Sequence, residues 1–418
     1  MATTITDRPA RGGADRPTDP VAEEELGGRP TGQQTRLLIA NPWFYPVLAG
    51  PAERFRRYTP GLNQRGVQVS VVTAKPDGQA DEEVNNGVHI TRIAAASGSR
   101  FKEKTVAYRA LRRLFGRRRP GVFQVFSSSP WNVPLVWALR LRGVPSVYVA
   151  TMVAEGSGTG RFGILRKVFR RWVLSGYSKI VTSSQVMTDI LQAEAGGGPK
   201  RFATIGNGVD LERFKAVPAA EKAALRERLG IGKAPAVLFV GGIYPRKAIH
   251  TLLEGWAHVA DGREAQLVVV GPKPDEEQYR DFHAKVDALA QAAPNPDRIQ
   301  FTGGVGNVDD YMKACDLFVF PSEREGMPNV VPEAMAAGLP VILTAFKGLP
   351  TEFGRPGSEF VLVERTPEGL AEAINDLLDD GPRAEQLGRQ GRRWVEENLD
   401  VELSLNAYAR LYAGLANS

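Results

Sequence analysis

Residues 317–348 read LFVFPSEREGMPNVVPEAMAAGLPVILTAFKG. Leu317–Phe320 is apolar on both faces, as a strand buried between two helix layers must be. The strand ends at Pro321-Ser322, and a loop carries Glu325-Gly326-Met327-Pro328-Asn329. A helix is expected next, with Asn329 as its cap and Gly338 as its stop. Pro332 falls in its first turn, where a missing N–H costs little. PVILTA at 340–345 then reads as a second buried strand. Strand, helix and strand in this order make one unit of a parallel α/β sheet.

The same alternation extends in both directions. Upstream lie AVLFVGG from Ala236, QLVVVG, IQFTGG and the stretch above, and FVLV follows it, with helical stretches such as Ala248–Ala260 between them. An earlier series from Arg36 runs RLLIA, VQVSVVTA, HITRIAA, VFQVFS, SVYVAT, KIVTSS and FATIGN. Two successive β/α series imply two Rossmann-like doubly wound domains facing each other across a cleft. The division expected is 35–210 for an N-terminal domain, 211–235 for a charged linker region and 236–398 for a C-terminal domain. Residues 399–418 read as a C-terminal helix free to cross back to the first domain. Residues 1–34 are rich in Pro, Gly, Thr, Asp and Glu, and are read as a disordered tail.

Composition narrows the classes of function. With 418 residues, 43% of them hydrophobic and 24% charged, the chain is neither collagenous nor disordered. The net charge of +6 permits anionic partners without choosing among them. Four scattered histidines and the single Cys315 offer no zinc-ligand spacing and no internal disulfide. The dinucleotide fingerprint and the P-loop are absent. No apolar run of bilayer length and no apolar leader occur in the sequence, so a cytoplasmic protein is expected.

In open α/β sheets ligands bind at the carboxyl ends of the strands, which points to the turns at Gly241-Gly242, Gly271-Pro272 and Gly303-Gly304 and to the loop after Phe320. Glu325 in that loop and Glu333 near the helix start present two carboxylates to one cleft. Carboxylates accept from pairs of hydroxyls and helix-start N–H groups bind oxygens, an arrangement suited to a polyhydroxylated ligand.

The E-x7-E spacing of Glu325 and Glu333 within PSEREGMPNVVPEAMAAGLPV closely resembles the signature of the retaining GT-B glycosyltransferases of family 4, the glycosyl transferases group 1. NGVDLERF at 207–214, VLFVGGIYPRKAIHTLLEGW at 237–256, VVVGPKP at 268–274 and IQFTGGVGNVDDYMKACDLFVFPS at 299–322 agree in order. The resemblance implies that Glu333 binds the ribose hydroxyls of a UDP- or GDP-linked sugar. It implies that Glu325, with the backbone of Gly326, Met327, Pro328, Asn329 and Val330, holds the transferred sugar. Lys247 matches the family's diphosphate-binding lysine, so Glu325 and Lys247 are the expected catalytic pair. The family's usual arginine after the preceding strand is here Gly242, and Arg246 is the substitute candidate.

In the N-terminal half, YPVLAGPAERF at 45–55 resembles the glycine-pair loop that closes on the diphosphate, with Gly50 retained and Pro51 in place of the second glycine. After SVYVAT the chain reads Thr151-Met152-Val153-Ala154-Glu155, where many relatives carry a histidine. The resemblance implies retaining transfer with no cofactor and no metal, the nucleotide sugar being a substrate. No D-x-D is positioned after a strand, and cations can neutralise a leaving diphosphate. The implied acceptor is a glycan, a lipid-linked molecule or a small molecule. The alternatives are a same-fold epimerase or phosphorylase, or a silent sugar-binding scaffold; nucleic acid is not an expected partner.

RFGILRKVFRRW at 161–172 places Phe162, Ile164, Leu165, Val168, Phe169 and Trp172 on one side and Arg166, Lys167, Arg170 and Arg171 on the other. The stretch 105–119 is similar and runs into Arg117-Arg118-Arg119. Two readings stand: docking on an anionic membrane surface at the inner face of the cell membrane, or an apolar side packed on the sheet with solvated arginines.

Overall fold

The computed structural model describes residues 34–45, 50–94, 105, 106, 108, 109, 119–127, 132–151, 163–260, 264–346, 349, 350 and 352–418. Nearly all of the 1–34 tail, the loop before Gly50, residues 152–155 and most of 105–119 lie outside them.

The strands are β1 (Thr35–Ala40), β2 (Val67–Ala74), β3 (Glu82–Asn85), β4 (Val88–Ile93), β5 (Val122–Val125), β6 (Ser146–Val149), β7 (Lys179–Thr182) and β8 (Phe202–Thr204), then β9 (Ala236–Val240), β10 (Gln266–Val270), β11 (Ile299–Gly303), β12 (Leu317–Phe320), β13 (Val341–Thr344) and β14 (Val361–Val363). They form two sheets, ordered β3-β4-β2-β1-β5-β6-β7-β8 and β11-β10-β9-β12-β13-β14. Among the described residues all pairings of these strands are parallel except β3 with β4. Each sheet therefore reverses its strand order once, between β1 and β5 and between β9 and β12. Those reversals open the crevices in which doubly wound sheets hold ligands.

The strands are apolar on both faces because both faces are covered. Leu38 and Ala40 join one buried cluster, while Leu37 and Ile39 join the cluster on the opposite face. Leu238 and Val240 face one way in the second sheet, Val237 and Phe239 the other. β3 and β4 form a hairpin whose turn has positive φ at Asn86 (48°) and Gly87 (74°). That is the Asn-Gly signature of a tight two-residue turn.

Residues 211–235 do not hang between the bodies. The helix Ala219–Leu229 lies there, and Phe214, Leu225 and Ile231 are buried in the core of the C-terminal body. The chain crosses between bodies near 205–210 and again near 399–401, and the two crossings are paired: Val209 N–H donates to Leu399 O (2.7 Å) and Val401 N–H to Val209 O (3.0 Å). A side chain at Gly208 would sit 2.6 Å from Val401 Cα, so the close approach requires glycine. The last helix, Val401–Ala416, packs on the N-terminal body, where Leu405, Tyr408, Leu411 and Tyr412 share a cluster with β1, β2 and the helix Gly50–Gln64. Among the described residues no helix is long and apolar enough to cross a membrane.

Candidate functional site

The crevice between β9 and β12 gathers most of the residues singled out in the C-terminal half. After β9, Gly241 and Gly242 turn the chain into a single 3-10 turn, Pro245–Lys247, followed by Ala248 at φ 50° and the helix Ile249–Ala260. This turn aims Arg246 and Lys247 at the loop that follows β12. Lys247 Nζ lies 2.7 Å from Glu325 Oε1, and Arg246 Nη1 lies 2.6 Å from the same oxygen. Ser322 Oγ adds a third contact at 2.7 Å.

Glu325 is 8% exposed and Lys247 9%, so this ion cluster is largely withdrawn from water. Burial pushes the Lys247 ammonium below the usual lysine range, with the Glu325 charge opposing and Arg246 reinforcing that shift. Lys247 Nζ also rests 4.8 Å from the Phe320 ring centre. Gly242 is in the turn itself, where an added Cβ would lie 2.6 Å from the Tyr244 ring.

Glu333 sits in the first turn of the helix Val330–Ala336. Its carboxyl is raised from 4.5 to about 7, chiefly by burial, with Arg57 and Arg213 pulling it down and Asp309 pushing it up. Arg57 belongs to the Gly50–Gln64 helix of the other body. Its Nη1 stands 3.9 Å from Glu333 Oε1 while its Nε donates to Glu53 (3.0 Å). Arg213 is itself bound to Asp309 at 2.7 Å. Glu333 is thus a cross-cleft group, half-buried and faced by cations it does not fully engage.

Asn329 departs from its expected role. It precedes the helix with helical dihedrals (φ −59°, ψ −36°), and its side chain caps nothing. Its Oδ1 accepts instead from Asn207 Nδ2 (2.7 Å), which also reaches Met327 O at 3.3 Å. The amide that would have capped the helix ties the 325–329 loop to the crossing segment after β8, and a residue with αR dihedrals cannot offer the usual capping geometry. Gly326 and Pro328 are buried in this loop, and Val330 opens the helix. Gly50 is the first residue of its helix.

Three residues here escape a reading of the sequence: Ser322, Arg57 and Asn207. Ser322 stands inside the quoted motif, three positions before Glu325, and that spacing is its only local signal.

On the N-terminal body, the helix Gly163–Ser175 does not pack its whole apolar side. Among the side chains described in this helix, Val173 and Leu174, at its C-terminal end, are buried in the core. Val168 (61% exposed), Phe169 (47%) and Trp172 (46%) face outward, with Trp172 stacked on Trp137 at 6.0 Å. Arg170 turns back to Glu194 (3.0 Å). The side chains of Phe162, Ile164, Leu165, Arg166 and Lys167 lie outside those described; for Val168, Phe169 and Trp172, the reading in which the apolar side lies on the sheet does not hold, since they face outward.

The sequence profile of the glycosyl transferases group 1 matches residues 221–394, and that of the glycosyl transferase 4-like domain matches residues 49–208. A D-inositol 3-phosphate glycosyltransferase of Geodermatophilus obscurus is 30% identical over 358 residues, covering 79% of this chain and 77% of that protein. The chain belongs to the glycosyl transferases group 1. A second member of this family, the GDP-mannose-dependent alpha-(1-6)-phosphatidylinositol monomannoside mannosyltransferase of Mycobacterium tuberculosis, is 32% identical over 268 residues, or 61% of this chain; the match spans 66% of that relative, just under two thirds. The family's GT-B fold is shared with the sucrose-phosphate synthase of Thermosynechococcus elongatus, which superposes with a TM-score of 0.77 at 23% identity over 92% of this chain and all of that one.

Proposed function

We propose that the protein transfers a sugar from a nucleotide-sugar donor to an acceptor hydroxyl, with retention at the anomeric carbon and without a metal ion. The observation that carries this reading is the buried cluster in which Arg246, Lys247 and Ser322 converge on Glu325 beside the half-buried Glu333. A diphosphate drawn to Arg246 and Lys247 competes with Glu325 for the two cations. The carboxylate released from them accepts from sugar hydroxyls, while Glu333 accepts from the ribose. As the bond between the anomeric carbon and the phosphate oxygen breaks, the two cations take up the developing charge. The acceptor oxygen bonds the same face, and its proton passes to the departing phosphate oxygen.

The experiment is to incubate the protein with UDP- and GDP-linked sugars and a panel of acceptor alcohols, inositols and alkyl glycosides among them, in EDTA, measure nucleoside diphosphate release, and read the anomeric configuration of the glycoside formed by NMR. Turnover that disappears in Glu333→Ala and gives a retained anomer supports the reading. No turnover, an inverted product or a strict metal requirement for chemistry overturns it.

The outward Val168, Phe169 and Trp172, in a stretch that also carries Arg166 and Lys167, favour an anionic membrane surface as the place where a lipid-linked acceptor is met. Flotation with vesicles containing an anionic lipid tests this. Binding lost in the Phe169→Ser, Trp172→Ser double variant supports it, and equal recovery with neutral vesicles or no recovery counts against it.

A further inference from the structure

The loop that holds Glu325 leaves its sheet at Phe320, where the β12–β13 ladder ends with Phe320 opposite Leu343. Beyond that point Pro321 and Ser322 remain buried, and buried carbonyls need donors. One side chain supplies most of them. Arg365, just past the edge strand β14, donates from Nε to Pro321 O (3.0 Å) and from Nη2 to Ser322 O (3.3 Å) and Ala345 O (2.5 Å). Thr344 Oγ1 adds a second donor to Ser322 O at 3.3 Å. The guanidinium thus staples the ends of two strands after their ladder has stopped. A planar fork of donors does this, and a lysine's single nitrogen cannot reach the same three oxygens in the same plane.

The fixed Ser322 is the link to the site. Its hydroxyl lies 2.7 Å from Glu325 Oε1 and 3.1 Å from Arg246 O, and the next residue's N–H, on Glu323, donates to Arg246 O at 2.9 Å. The backbone that Arg365 holds therefore registers both the carboxylate and the turn carrying Arg246 and Lys247. From this geometry we infer that Arg365 is a positioning residue for sugar transfer, acting on Glu325 through the Pro321-Ser322 backbone; its effect on turnover rests on the transferase reading above.

The test uses the full chain with Arg365→Ala and Arg365→Lys, and reads the backbone and the chemistry separately. Amide hydrogen exchange across residues 322–329 is expected to quicken by roughly tenfold or more in Arg365→Ala, with the helix Ile249–Ala260 unchanged. Donor turnover is expected to fall by roughly ten- to a hundredfold, the scale of a misplaced catalytic group. Affinity for the nucleoside alone, which reads Glu333 without the diphosphate cations, is expected to stay within about twofold, since Arg365 donates to Pro321, Ser322 and Ala345 and not to the helix that carries Glu333. Millimolar guanidinium is expected to restore part of the turnover of Arg365→Ala, which a general loss of stability would not allow. Arg365→Lys keeps the charge without the fork and carries the test should the alanine variant not fold; quickened exchange and reduced turnover are expected for it too. Unchanged exchange at 322–329, or nucleoside affinity lost in step with turnover, overturns the inference. A wild type that turns over no donor refutes the transferase reading instead, while the exchange result still decides whether Arg365 holds the loop.

Discussion

Replacing Glu333 by glutamine is expected to stabilise the fold while removing the donor site. Burial raises this carboxyl from 4.5 to about 7, so ionising it in the folded state costs about 3 kcal/mol more than in the unfolded chain. The folded state binds this proton more tightly than the unfolded state does. The penalty is accordingly absent below the unfolded value of 4.5, grows as pH rises from 4.5 to 7, and is complete above 7. Glutamine keeps the shape without the charge. The Arg57 attraction at 3.9 Å is already contained in that raised value. Glu333→Gln is therefore expected to gain about 3 kcal/mol at pH 8, or roughly 6–12 °C in Tm, and under about 1 kcal/mol at pH 5. Denaturant or thermal unfolding of both proteins at the two pH values measures the gap. Nucleotide-sugar titration calorimetry should show, in the wild type alone, affinity that climbs as pH rises toward 7 and then levels, because the proposed ribose contact needs the ionised carboxylate. A variant no more stable than wild type at pH 8, or a gap equal at both pH values, would refute the argument.

Arg57→Ala removes a cation facing Glu333, so nucleotide-sugar affinity at pH 7 should weaken by about two- to fivefold and recover at higher pH, as read by calorimetry across that range. Lys247→Ala should lower donor turnover by roughly a hundred- to a thousandfold. Arg246 still pairs with Glu325, so the far-ultraviolet circular dichroism of that variant should match wild type. Tyr412 OH donates to the buried Gln124 Oε1 at 2.5 Å, and Tyr412→Phe should cost about 1–3 kcal/mol by orphaning that oxygen. Its Tm should fall while nucleotide affinity stays unchanged, since the pair lies under the C-terminal helix and outside the site.

The strands are legible because both sheets are covered on both faces, so runs such as AVLFV and LFVF are apolar throughout. The Asn86-Gly87 hairpin carries its turn chemistry in the sequence but follows a charged stretch, Glu82–Asn85, whose alternation of exposed and half-buried residues is faint. Glu325 and Glu333 can be paired from sequence because one strand, loop and helix carries both. The amphipathic period at 161–172 shows which side chains share a side of the helix. It does not show what covers that side, and here Val168, Phe169 and Trp172 are left outward.

Legible along the chain are the local units: two β/α series, the loop with its carboxylates, and the Gly241-Gly242 turn after AVLFV. Spacing along the chain and the side chains' own chemistry suffice for these. What the tertiary structure decided is which charges meet. Arg57 faces Glu333 from the other body, Asn207 takes the side chain expected to cap the helix, and Arg365 reaches back to Pro321 and Ser322 from beyond the edge strand. Contacts between residues far apart in the chain depend on sheet order and on how the two bodies pack. No local pattern encodes either, so the residues that tune and hold the site became visible only in the fold.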